Sequence, residues 1–112
     1  MKVEKLAKLP VEKVSHNEKI TKKVFIRKGQ IPRLMQYAQA SFPPGEIADA
    51  HSHPDMYEVF TIHKGKGLMV VDNKKISLEP GTCVMVEPGE THEVTNTGKK
   101  DLVLSVFGIT EQ

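Results

Sequence analysis

A chain of 112 residues is close to the commonest size for one domain and can bury a core without disulfide staples. Hydrophobic residues make up 38% and charged residues 27%, an ordinary balance for a soluble globular protein, and no apolar run is long enough to span a bilayer as a helix. The net charge of +2 hides a division: residues 1–33 hold ten Lys or Arg against three Glu, whereas residues 34–112 hold six Lys against eleven acids.

The lysines of the basic third are spread among Val, Leu and Ile, with no aromatic or Arg-rich cluster beside them. That pattern argues against a nucleic-acid partner and for a solvated, lysine-rich edge that resists sheet-to-sheet aggregation. No apolar stretch follows the first lysines, so the N-terminus does not read as a signal peptide. The single Cys83 can form no internal disulfide. A cytoplasmic protein without a membrane partner is the expectation.

In chain order, the first ten residues allow one turn of helix, which Pro10 ends. The segment 11–28, "VEKVSHNEKITKKVFIRK", is β-capable but carries no motif. Residues 1–33 are therefore read as an arm of edge strands, and residues 34–112 as the main β-domain. The next run, "RLMQYAQASF", places Leu34, Gln36, Ala38, Ala40 and Phe42 on one face of a strand. Beyond it, Pro43-Pro44-Gly45, His53-Pro54-Asp55, Lys64-Gly65, Asp72-Asn73, Glu79-Pro80-Gly81, Glu87-Pro88-Gly89 and Asn96-Thr97-Gly98 punctuate the chain. Turn signals about 8–12 residues apart, with short β-branched runs between them, predict an all-β sandwich or barrel. Asp72-Asn73, between "GLMVV" and "KISL", predicts a tight hairpin.

Two of the five histidines, His51 and His53, stand one residue apart. On a strand they would face the same way, about 6.5–7 Å apart, able to share a cation. Glu58, at the head of "YEVFTI", can be brought back toward the pair by a reversal, and His92, at the head of "HEVTN", is a fourth candidate. The bland alternative is a pair of solvent-facing histidines, and His16 and His63 are read in that way.

Gly45-x5-His51-x-His53-x4-Glu58-x6-Gly65 resembles, at every defined position, the first signature of the cupin superfamily. Gly81, Gly89, His92 and Asn96 fall in register with the second. The proline of that second signature is replaced by Glu87, with Pro88 one place later in the same turn. The resemblance covers about residues 34–108 and implies a single-domain double-stranded β-helix, or jelly-roll barrel. It also implies that His51, His53, Glu58 and His92 ligate one divalent transition metal such as Fe, Mn, Ni or Zn, that two positions are left for water or substrate, that Asn96 is structural, and that the arm at residues 1–33 forms a homodimer.

Strand parity puts Phe60 beside Glu58, and the resemblance implies that the strand before the first signature contributes to the pocket with Gln36 inward, so Phe60 and Gln36 are the candidate substrate-binding residues. Ala38 and Ala40 would leave room for a ligand. Arg27 and Arg33, the only arginines, precede the motif region, which weakens a dicarboxylate or phosphosugar reading. Cys83, in "TCVMV", reads as a small buried hydrophobe. The expected function is that of a small-molecule metalloenzyme, dioxygenase- or isomerase-like. Its alternatives are a non-catalytic ligand-binding or sensing module and a barrel with no functional metal.

Overall fold

The computed structural model describes residues 1–111. After a short 3-10 turn at Leu6–Lys8 come ten strands: β1 Glu12–Val14, β2 Asn17–Arg27, β3 Leu34–Phe42, β4 Ile47–His51, β5 Met56–Lys64, β6 Gly67–Val71, β7 Lys74–Leu78, β8 Cys83–Val86, β9 His92–Asn96 and β10 Leu102–Thr110. They pair into a six-stranded sheet, β1-β2-β3-β10-β5-β8, and a four-stranded sheet, β4-β9-β6-β7. Every pairing is antiparallel, and the two sheets face each other as the expected all-β jelly roll. The arm expected at residues 1–33 supplies β1 and β2, and β2 pairs with β3 of the same chain.

Alternation decides which residues fill the space between the sheets. Ala38, Ala40 and Phe42 of β3, Phe60 and Ile62 of β5, Met69 and Val71 of β6, and Leu102 and Leu104 of β10 are all buried. Each larger aliphatic or aromatic side chain withdrawn from water contributes about 1.5–3 kcal/mol. No helix among the described residues is long and apolar enough to cross a membrane.

Turn chemistry holds the register. Asp72 and Asn73 adopt φ of 45° and 69°, so Val71 pairs directly with Lys74 across a tight hairpin. The same turn is tied to the segment leading into β9: the Asp72 carboxylate accepts the Thr91 N–H at 2.9 Å, and the Asp72 N–H donates to the Thr91 carbonyl at 2.9 Å. His92 follows immediately. Gly65 has φ +85°, and a Cβ there would lie 2.5 Å from the Asp101 carbonyl oxygen. Gly65→Ala should therefore destabilise the fold by about 2–4 kcal/mol, combining left-handed strain with a backbone clash. Urea unfolding checks this, and a change below about 1 kcal/mol would show that the loop yields easily.

The edge strand β8 departs from expectation. Val84 and Val86 turn inward, but Cys83 is exposed, as is Met85. Cys83 is thus no core residue; the thiol accepts the Thr61 hydroxyl at 3.8 Å on the outer face of the sheet.

Candidate metal centre

The structure brings His51, His53, Glu58 and His92 together, with one ligand-capable atom from each lying within 4.8 Å of all the others. Glu58 is central: Oε1 lies 3.2 Å from His53 Nε2 and 3.0 Å from His92 Nε2. Around it, the His51 ring centroid is 4.3 Å from that of His92 and 5.0 Å from that of His53.

Both sheets contribute. His51 ends β4 and pairs across the four-stranded sheet with His92 of β9, whereas Glu58 comes from β5 of the six-stranded sheet. His51 and His53 do not share a strand. β4 stops at His51, and His53 sits in the loop to β5, where its carbonyl accepts the Gly89 N–H at 2.7 Å. The register of β4 against β9 also slips between Ala48 and His51. One extra residue in β4 reverses the alternation there, so Ala48 and His51, three apart, both line the interior. The bulge, rather than simple alternation, aims His51.

The backbone orients two of the rings. His51 Nδ1 lies 2.8 Å from the Asp49 carbonyl, a spacing that suits an Nδ1–H donor and leaves Nε2 its lone pair. His92 Nδ1 lies 3.4 Å from the Glu90 carbonyl. Burial opposes a charge on His92, but the Glu58 carboxylate, helped by Glu90, outweighs it and holds the imidazole above the usual histidine range. A proton therefore competes for His92, and cation uptake should strengthen as pH rises.

The donors fit a transition metal. Glu58 Oε1 and His92 Nε2 are buried, and their polar neighbours are members of the cluster: Oε1 faces His92 Nε2 at 3.0 Å and His53 Nε2 at 3.2 Å. With unprotonated Nε2 atoms no hydrogen would join them, and a shared cation would satisfy all three. Neighbouring ligands about 2.1 Å from an octahedral ion stand roughly 3.0 Å from each other, which matches the spacings of Glu58 Oε1 to His92 and His53 Nε2. Exposure is graded: the side chain of His53 is 36% exposed, Glu58 15% and His92 1%, so the way in lies on the His53 side.

Phe60 and Gln36 both line the interior cavity of about 150 Å³ that adjoins His51, Glu58 and His92. The Phe60 ring is 5.9 Å from that of His92. The sequence reading missed Lys22, which lines the same cavity and donates from Nζ to Gln36 Oε1 at 2.9 Å. The available signal was parity, because Lys22 shares one face of β2 with the buried Ile20 and Val24. His16 and His63 lie outside the cluster; both are exposed, and His63 contacts the Ser105 hydroxyl.

The chain is a small jelly roll of two antiparallel sheets, inside which three imidazoles and a carboxylate form a group that could hold a metal ion. The chain belongs to the cupin family: the Cupin domain matches residues 38–108. It is 30% identical over 66 residues to an oxalate-binding protein of Thermotoga maritima, covering 59% of this chain and 54% of that one. It is 40% identical over 58 residues to a glucose-6-phosphate isomerase of Pyrococcus furiosus, covering 47% of this chain and 31% of that one. The chain thus spans about half the length of the first relative and a third of the second. Among solved structures, a predicted oxalate decarboxylase of Thermotoga maritima superposes with a TM-score of 0.90 at 22% identity, covering 97% of this chain and 99% of that one. The cupin domain of Schizosaccharomyces pombe Cnp3 superposes with a TM-score of 0.82 at 15% identity, covering 96% and 72%.

Proposed function

We propose that His51, His53, Glu58 and His92 hold one divalent transition metal, such as Fe, Mn, Ni or Zn, and that the protein is a metalloenzyme acting on a small molecule. The observation that carries this reading is the convergence of four ligand-capable atoms within 4.8 Å of one another, with Glu58 Oε1 and His92 Nε2 buried at the centre. Three neutral imidazoles and one carboxylate would leave a net charge of +1 on a divalent ion. When bound, such an ion supplies a Lewis-acid or redox centre with positions open to a ligand. The chain's own residues do the rest: Phe60 walls the cavity against water, Ala38 and Ala40 leave space, and Gln36 offers a polar contact. Reaction types of the dioxygenase or isomerase kind suit such a centre.

One observation favours a second reading, a binding or sensing module. Apart from the four candidate ligands, Lys22 is the only titratable side chain lining the cavity among the described residues. Likeness to an oxalate-binding protein supports it too. Metal analysis of tag-free protein tests the shared premise: near-stoichiometric metal is expected in the wild type and none in a His51→Ala, His53→Ala double variant. Equal metal in both would remove the site. Oxygen uptake by Fe(II)-loaded protein across catechols, thiols, flavonols and β-diketones separates the two readings, since silence throughout favours the binder.

For the homodimer we assign the outer face of the six-stranded sheet, where Phe25 stacks on Tyr37 at 5.0 Å and Tyr37 meets Phe107 edge-on at 6.3 Å. A depression of about 760 Å³ lies beside them, and the arm at residues 1–33 borders it through Ile26, Ile31 and Arg33.

A further inference from the structure

Lys22 is an awkward residue for the wall of a β-barrel. It stands on β2 opposite Ala40, between Ile20 and Val24, which are 1% and 4% exposed. An ammonium placed there loses hydration and needs a partner. Gln36 Oε1, at 2.9 Å, takes one of its three donors. The nearest acid across the sheet, Glu12, is already committed to Arg27, with Nη1 donating to Oε1 at 3.3 Å and Nη2 to Oε2 at 2.5 Å. Among the described residues Lys22 forms no ion pair.

The cavity that Lys22 enters is otherwise apolar except for Gln36 and the candidate ligands, and it measures about 150 Å³. That is roughly five water volumes at about 30 Å³ each. Gln36 and Glu58 stand on one row of the six-stranded sheet, on either side of Gly108. Two strand spacings put their Cα atoms about 9.5 Å apart. A loaded centre of net charge +1 and an ammonium thus share one small, poorly hydrated chamber. Glu12, paired with Lys22 from β1, feels its charge but is held by Arg27 and does not line the cavity, so opposite charge inside the cavity is favoured and a small anion can bring it.

We infer that Lys22, held by Gln36, is a specificity-determining residue that selects compact anions: small acids that chelate the metal through one end and present carboxylate oxygen to the Lys22 ammonium. Acids the size of oxalate fit the volume. This inference rests on the metal-site reading and deepens it by naming a ligand class. It also locates the cation that the arginine-poor motif region lacks.

The test uses full-length protein loaded with Mn(II), titrated calorimetrically with oxalate and with acetohydroxamic acid, which binds as a hydroxamate with both oxygens on the ion and no carboxylate left for Lys22. The Mn(II) electron paramagnetic resonance spectrum reports chelation directly. Lys22→Met should weaken oxalate by about 10- to 100-fold, the scale of a lost charge-assisted hydrogen bond, while acetohydroxamic acid and Mn(II) retention change less than about threefold. Gln36→Glu should reproduce the loss by giving the ammonium an internal carboxylate, and it decides the matter if Lys22→Met does not fold. Equal weakening of both chelators, or undiminished oxalate binding with Mn(II) retained, would overturn the role of Lys22 alone. Failure of the wild type to retain Mn(II) would overturn the metal site and this inference with it.

Discussion

Glu58→Gln is expected to lower divalent-metal affinity by at least about 100-fold while leaving the fold intact. Glu58 is the only anion in the cluster, and its Oε1 faces both His53 and His92 at 3.2 and 3.0 Å. The amide keeps the shape but removes the charge, raising the net charge of a loaded centre from +1 to +2. Changes one step removed from a metal already cost about 10- to 100-fold, so loss of a direct anionic donor should cost at least as much. Competition against a fluorescent chelator measures the affinity. Thermal melts supply a second measure, because a metal at about 100 times its dissociation constant stabilises the wild type by about 2.7 kcal/mol. That metal-dependent increment should fall to about 0.4 kcal/mol or less in the variant. Unchanged affinity would mean that Glu58 does not coordinate.

Asn96→Leu should be the most damaging substitution outside the cluster, costing about 3–5 kcal/mol. The side chain is 1% exposed, and its amide is fully used: Nδ2 donates to the Phe42 carbonyl at 2.8 Å and to the Lys100 carbonyl at 2.9 Å, while Oδ1 accepts the Gly98 N–H at 2.8 Å. Leucine fills the volume but strands three backbone groups, each costing about 1–3 kcal/mol if it stays dry. Small domains hold only about 5–15 kcal/mol in total, so the variant would be close to unfolding. Asn96→Asp separates hydrogen bonding from packing. It keeps the acceptor for Gly98 but turns a carboxylate toward two carbonyls, and it should be at least as harmful. Chemical denaturation of both variants checks the pair; a cost below about 1 kcal/mol would mean that water replaces the amide.

These two residues show what was legible in the sequence. Asn96 and Glu58 occupy signature positions, where a turn or a ligand fixes the residue type, and turn glycines set the spacing between them. The hairpin at Asp72-Asn73 was legible for a similar reason, since few residue pairs accept two successive positive φ values. His51 and His53 were legible as a pair but not by the right geometry. An extra residue in β4 leaves no compositional trace, and the end of a strand at His51 is set by pairing with β9. Cys83 misled because "TCVMV" reads as a buried run, whereas an edge strand hides only one of its faces. Lys22 was invisible to motif reasoning because it lies in the motif-free arm, where its inward direction depends on how β2 registers against β3.

The donors come from opposite layers: Glu58 from one, His51 and His92 from the other. A chelating pocket therefore exists only while those layers remain closed on each other. A partly denatured chain that kept its hairpins but let the layers drift apart would retain its far-ultraviolet signal and yet bind no ion. Ion uptake by this protein would then report closure of the shell rather than formation of its strands.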